Sequence, residues 1–132
     1  MSTNQKEMGK EQRTVLYVDD EPDMRSLFEA LLYSHARRRG VSNVKVLTAA
    51  NFAEAWKVVP LGLAALVSDG QVEVREGTDG DHFIGKVMQV HPTLQCWMHS
   101  GIVETGQYDN FKAVKKPYTS QVVTEVLDFL QS

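Results

Sequence analysis

The sequence predicts an α/β protein: a parallel sheet wound on both faces by helices. Three observations predict it. Apolar runs of five residues recur along the 132-residue chain. The segments between most of them carry apolar residues at helical spacing. Polar residues that suit a reactive site stand where several of the runs stop, the position that such sheets use for their sites.

Thr14-Val15-Leu16-Tyr17-Val18 is the first run, and its continuity marks a strand buried on both faces. Asp19 and Asp20 stop it. Pro22 suits a first helical turn, and Met24, Leu27, Phe28, Leu31 and Leu32 follow as one apolar stripe. Arg37-Arg38-Arg39 places cations where that helix's dipole favours them, and Gly40 ends it. Val44–Thr48 reads as the second strand. Asn51 with Glu54 forms a capping-box start to a second helix, which Pro60 closes.

Leu63–Val67 is the third strand, stopped at Asp69, and a polar loop carrying Glu73, Glu76, Asp79 and Asp81 follows. A third helix presents Phe83, Ile84, Val87, Met88 and Val90, ending at Pro92. Leu94–Met98 is the fourth strand, running out at Ser100-Gly101. Phe111–Lys115 is a fifth, followed by Lys116-Pro117. Thr119 or Ser120 caps a last helix whose apolar face is Val122, Val123, Val126, Leu127 and Leu130. Strands alternating with helices imply right-handed crossovers. They predict a flavodoxin-like doubly wound sheet of five parallel strands in the order 2-1-3-4-5, forming one domain over 13–132 behind a mobile tail, 1–12.

Composition bounds the function. A formal net charge of −3 argues against a nucleic-acid partner. No apolar stretch approaches a membrane span, and the N-terminus is no signal peptide. A single cysteine, Cys96, fits a reducing cytoplasm and reads as a core residue. His35, His82, His91 and His99 lack metal-ligand spacing and read as packed or surface residues. Trp56 and Trp97 read as core or half-buried anchors.

In the expected topology the ends of strands one, three, four and five converge. Asp19, Asp20 and Asp69 would then stand together, and Mg²⁺, which prefers hard oxygen ligands, relieves their repulsion. A carboxylate such as Asp69 can act as a nucleophile and become an acyl phosphate. Phosphoryl transfer needs positioning and charge neutralisation. Lys116 supplies a point charge and Ser100 a hydrogen bond.

Val18-Asp19-Asp20-Glu21-Pro22, Leu66-Val67-Ser68-Asp69, Ser100-Gly101 and Lys116-Pro117 together resemble the receiver domain of bacterial two-component response regulators, over residues 14–131. The resemblance implies that Asp19 and Asp20 hold Mg²⁺ directly or through water, with the backbone carbonyl of Gln71 a further ligand. It implies that Asp69 accepts the phosphoryl group, that Ser100 and Lys116 contact it, and that Ser100 reorients. It implies a sensor histidine kinase or histidine phosphotransfer protein as donor, and output through a downstream protein or a homodimer. No separate substrate is expected, so the chain is not read as an enzyme. The last helix reaches Ser132, so no output domain is expected either.

Three departures stand out. The Met-Pro usual after the phosphoacceptor is replaced by Gly70-Gln71. Ala113 takes the place of the usual switching aromatic, with Phe111 two residues earlier on the same strand face. Ser100 and Lys116 are only 16 positions apart, too close for a full fourth helix. That helix is therefore expected to be shortened or missing, leaving an apolar flank exposed or used in dimerisation. Two other functions compete: a receiver-like interaction module that is not phosphorylated, and a small metal-dependent phosphohydrolase using an aspartate of the first strand. The second usually has Asp-x-Asp there, where this chain has Asp19-Asp20-Glu21.

Overall fold

β1 (Arg13–Val18) is the strand around which the sheet is built. Val15 to Val18 are 0% exposed on both faces, as their unbroken apolar run requires. β1 pairs in parallel with β2 (Val44–Ala49) on one side and β3 (Ala65–Ser68) on the other. β4 (Gln95–Ser100) adds to β3, and β6 (Lys112–Lys115) to β4, both in parallel. A two-residue strand, β5 (Gly106–Gln107), pairs antiparallel with β6 at the edge. The order is β2-β1-β3-β4-β6-β5. The five expected strands thus stand in the expected order, and among the described residues a sixth adds to their number. This computed structural model describes residues 12–59, 62–69, 80–101, 105–108 and 111–132, without the side chains of 80–82. Residues 1–11 of the expected tail, Pro60, Gln71 and the acidic residues Glu73, Glu76 and Asp79 lie outside that set, as does the side chain of Asp81.

The helices split between the two faces. α1 (Pro22–Arg38) and α4 (Thr119–Gln131) cover one, burying Phe28, Leu32, Ala36, Val122, Val123, Val126 and Leu127 against Val15, Tyr17, Val67 and Trp97. α2 (Phe52–Val58) and α3 (Gly80–Val90) cover the other, burying Phe52, Ala55, Phe83, Ile84 and Val87 against Leu16, Leu66, Cys96 and Met98. Among the described residues no helix is long and apolar enough to cross a membrane.

Sequence cues set the helix ends. Pro22 begins α1, and Gly40, at φ +73°, takes the left-handed turn after it. Asn51 accepts from the Glu54 amide at 2.9 Å while Glu54 reaches back to the Ala50 amide, also at 2.9 Å. This is the expected capping box, closed one residue early. Two expectations about helix faces are corrected. Leu27 is 43% exposed, because Ala36 continues the buried stripe on the opposite side of α1, and Val90, the last residue of α3, is 58% exposed. Arg39 adds a tie that sequence did not suggest, pairing with Asp128 on α4 at 2.8 Å.

The segment between β4 and β6 holds no helix among its described residues, in line with the short spacing. It holds the β5–β6 hairpin instead. Tyr108 N–H donates to Phe111 O at 2.9 Å, and the two rings stack at 5.1 Å. The expected exposed flank is corrected here: Met98 (4%), Phe111 (8%) and Ala113 (2%) are buried. The hairpin also covers the β6 edge, which would otherwise offer its ladder to another chain. At the far edge, the Tyr33 hydroxyl on α1 accepts from the Val46 amide of β2 at 2.8 Å. Removing it by Tyr33→Phe leaves that amide unpaired, and a loss of about 1 kcal/mol is expected in urea unfolding. An unchanged midpoint would show that water replaces the hydroxyl fully.

Candidate functional site

The site lies at the carboxyl ends of β1, β3, β4 and β6. β1 and β3 run in register, Val18 opposite Ser68, and the Asp69 amide donates to Val18 O at 2.8 Å. Asp19 and Asp69 are therefore the first residues past two paired strands and stand side by side. Both are 0% exposed. Asp20 and Glu21 follow in the turn into α1. One carboxylate oxygen from each of Asp19, Asp20, Glu21 and Asp69 lies within 4.8 Å of the others.

The Asp19 carboxylate is held by three donors. Its Oδ2 accepts from Tyr17 Oη at 3.0 Å and Lys116 Nζ at 2.8 Å. Its Oδ1 accepts the Glu21 amide at 2.9 Å. Arg25 reaches the backbone oxygen of Asp19 at 2.8 Å, fixing the turn to α1. Lys116 Nζ also bonds Asp69 Oδ2 at 3.1 Å and lies 3.7 Å from Glu21 Oε1. Burial alone would lower the Lys116 pKa, but hydrogen bonds and charge from Asp19 and Asp69 outweigh it and hold it above the usual lysine value. Burial, then the nearby Asp19 charge, pushes the Tyr17 phenol far above the ordinary tyrosine range, so it is a permanent donor here.

Ser100 closes β4 and is 0% exposed. Its carbonyl accepts the Lys116 amide at 3.1 Å, which places the ends of β4 and β6 together. The Lys116–Pro117 peptide is cis. Lys115, the alternative surface lysine, is the last residue of β6, and its amide donates to the Thr105 hydroxyl at 3.0 Å. Ala113 and Phe111 both lie in the α2–α3 core, with Phe111 against Tyr108 rather than at the acidic cluster.

The donor set suits Mg²⁺. It is all hard oxygen, and its span is close to the ~4.2 Å across an octahedral magnesium shell. Asp20, Glu21, Asp69 and the remaining lone pair of Asp19 Oδ1 are the groups that would hold it. The Gln71 carbonyl lies outside the described residues.

Four residues escaped the sequence reading of the site. Glu21 joins the acidic cluster as a fourth carboxylate. Tyr17 carries a hydroxyl inside an apolar strand, two residues before Asp19, and strand alternation puts both on one face. His99 is 0% exposed between β6 and α4, Nδ1 2.8 Å from Val114 O and Nε2 3.1 Å from Thr119 Oγ1. Thr119 was expected as a cap. It is instead the first residue of α4, with no side-chain cap and its hydroxyl turned inward to His99. Cys96, also buried, has its thiol pushed up to about 12 by burial, so it is an inert core residue as expected.

No family model and no curated protein matches this sequence. Solved structures do match the fold. A response regulator receiver protein from Sinorhizobium medicae superposes with a TM-score of 0.72 at 20% identity, covering 92% of this chain and 97% of its own. The signal receiver domain of an HD domain-containing protein from Pseudomonas fluorescens gives 0.71 at 14% identity, covering 91% and 95%. The receiver domain of the hybrid histidine kinase CckA gives 0.64 at 22% identity, covering 87% and 95%. On the six strands in this order and the four helices among the described residues, and on these likenesses, the chain has the fold of response regulator receiver domains.

Proposed function

We propose that the protein is a phosphoryl-accepting receiver of a two-component phosphorelay, phosphorylated at Asp69 in a magnesium-dependent step. The observation that carries this reading is one cation shared by two buried carboxylates. Lys116 Nζ bridges Asp19 and Asp69 at 2.8 and 3.1 Å, inside a cluster of four acids. A merely solvated acidic turn would not bury two of its carboxylates completely.

In the proposed reaction an Asp69 oxygen forms a bond to phosphorus as the bond to the donor's leaving group breaks. That leaving group is an imidazole from phosphohistidine, or acetate from acetyl phosphate. Bound magnesium would neutralise charge on the phosphoryl oxygens. Lys116, already beside Asp69, turns toward the new phosphoryl group, and the Ser100 hydroxyl donates to it. A histidine kinase or phosphotransfer protein is the proposed donor, the cytoplasm the proposed compartment, and a downstream protein or a second copy the proposed target. Output is a population shift between two conformations.

The test is incubation with acetyl phosphate or phosphoramidate, with and without magnesium, read by intact mass. The wild type is expected to gain one phosphoryl group only with magnesium, and Asp69→Asn to gain none. Equal mass gain in both, or none in either, rejects the reading. The second outcome fits the alternative, a receiver-like interaction module without phosphorylation. Ala113 buried at the aromatic position and the hairpin in place of a fourth helix favour that alternative.

A further inference from the structure

The Tyr17 hydroxyl sits in a strand that has no other use for a polar group. Its neighbours Val15, Leu16 and Val18 are hydrocarbon and 0% exposed. Its ring stacks on Phe28 with centroids 4.3 Å apart and planes 9° from parallel. Phenylalanine would make that stack without a hydroxyl to desolvate, and a buried hydroxyl is costly unless bonded. Here it bonds Asp19 Oδ2, the same oxygen that receives Lys116. Two donors fill the two lone-pair directions of that oxygen. The Glu21 amide takes one direction of Oδ1, so the direction left open on Asp19 belongs to Oδ1.

We propose that Tyr17 is a positioning residue of the magnesium site. Its hydroxyl fixes the Asp19 carboxylate so that Oδ1 faces the metal, and keeps it fixed when Lys116 leaves for the phosphoryl group. The proposal rests on the receiver reading above. Lys116 serves Asp19 and Asp69 together. Its departure would leave the Asp19 carboxylate, 0% exposed, with the backbone amide of Glu21 as a donor. Tyr17 supplies a second that does not move, because the Phe28 stack locks its ring. Such outer partners of metal ligands typically set affinity by 10–100-fold. A single neutral donor belongs at the low end.

Magnesium titration of the full chain by calorimetry, without any phosphodonor, tests this. Tyr17→Phe keeps the ring and the stack, and is expected to bind magnesium about tenfold more weakly with an unchanged near-ultraviolet circular dichroism spectrum. A role in packing alone would leave the affinity where it was. Equal or tighter binding by the folded variant overturns the proposal. A wild type that takes up no magnesium overturns the receiver reading and this proposal with it, so the two failures are distinguishable. Should Tyr17→Phe not fold, 3-fluorotyrosine at position 17 replaces it as the probe. Its fluorine resonance is expected to shift on adding magnesium, and a resonance that stays put overturns the proposal.

Discussion

Replacing Lys116 by methionine is expected to destabilise the metal-free protein by about 3 kcal/mol, the loss seen when one partner of a buried ion pair is removed. Asp19 and Asp69 are both 0% exposed, and Lys116 is the cation bonded to each, with a side chain only 15% exposed. Methionine fills much of the same volume but leaves two adjacent buried carboxylates without that charge. Urea unfolding at neutral pH in the presence of a chelator measures the loss. Two further results are expected of the same variant. Magnesium restores more stability to it than to the wild type, because binding then relieves a larger repulsion. Adding Asp69→Asn also recovers stability, because one carboxylate of the conflicting pair is gone. A loss under about 1 kcal/mol, at the level of an exposed pair, would mean that water reaches these carboxylates freely.

The wild type is expected to lose stability steeply as pH falls below about 6.5, where a free histidine takes up its proton. His99 is the cause. Val114 O can only accept, so Nδ1 carries a hydrogen, and in the neutral imidazole Nε2 accepts from the Thr119 hydroxyl. Burial lowers its pKa, the Val114 bond works the other way, the Lys116 charge lowers it further, and Asp19 opposes. The folded pKa therefore lies below the unfolded one. The stability contributed by neutral His99 is complete above the unfolded pKa and declines as pH falls from there toward the folded value. The slope for one proton approaches about 1.4 kcal/mol per pH unit. Urea midpoints from about pH 7.5 to about 5.5 should fall faster for the wild type than for His99→Gln, which keeps a donor and an acceptor without titrating. Parallel curves would remove His99 from the account.

His99 also shows where sequence reasoning runs out. An isolated histidine in a strand carries no signal of which helix will close over it, and its partners Val114 and Thr119 are 15 and 20 residues away. The sheet was legible because Thr14–Val18 and its counterparts are continuous apolar runs stopped by acids, and burial on both faces demands such runs. The main acids were legible for the same reason: topology alone brings the ends of neighbouring strands together. The hairpin at Gly106–Lys115 was not. In the sequence, Asp109-Asn110 are residue types that favour tight hairpin turns, flanked by Tyr108 and Phe111. The short spacing there was read as a helix lost rather than as a strand gained. Tyr17 was visible as a letter but not as a site residue, because a tyrosine in a strand is ordinarily an aromatic packing group.

The central claim is that Asp69, set among three other acids and beside Lys116, forms the acyl phosphate. An acyl phosphate is reduced by borohydride to an alcohol, which leaves homoserine where the aspartate stood. After incubation with acetyl phosphate and magnesium, then borohydride, peptide mass mapping should find homoserine at position 69 and at no other aspartate. Homoserine at Asp19 or Asp20 instead, or unmodified aspartate throughout, would contradict the account.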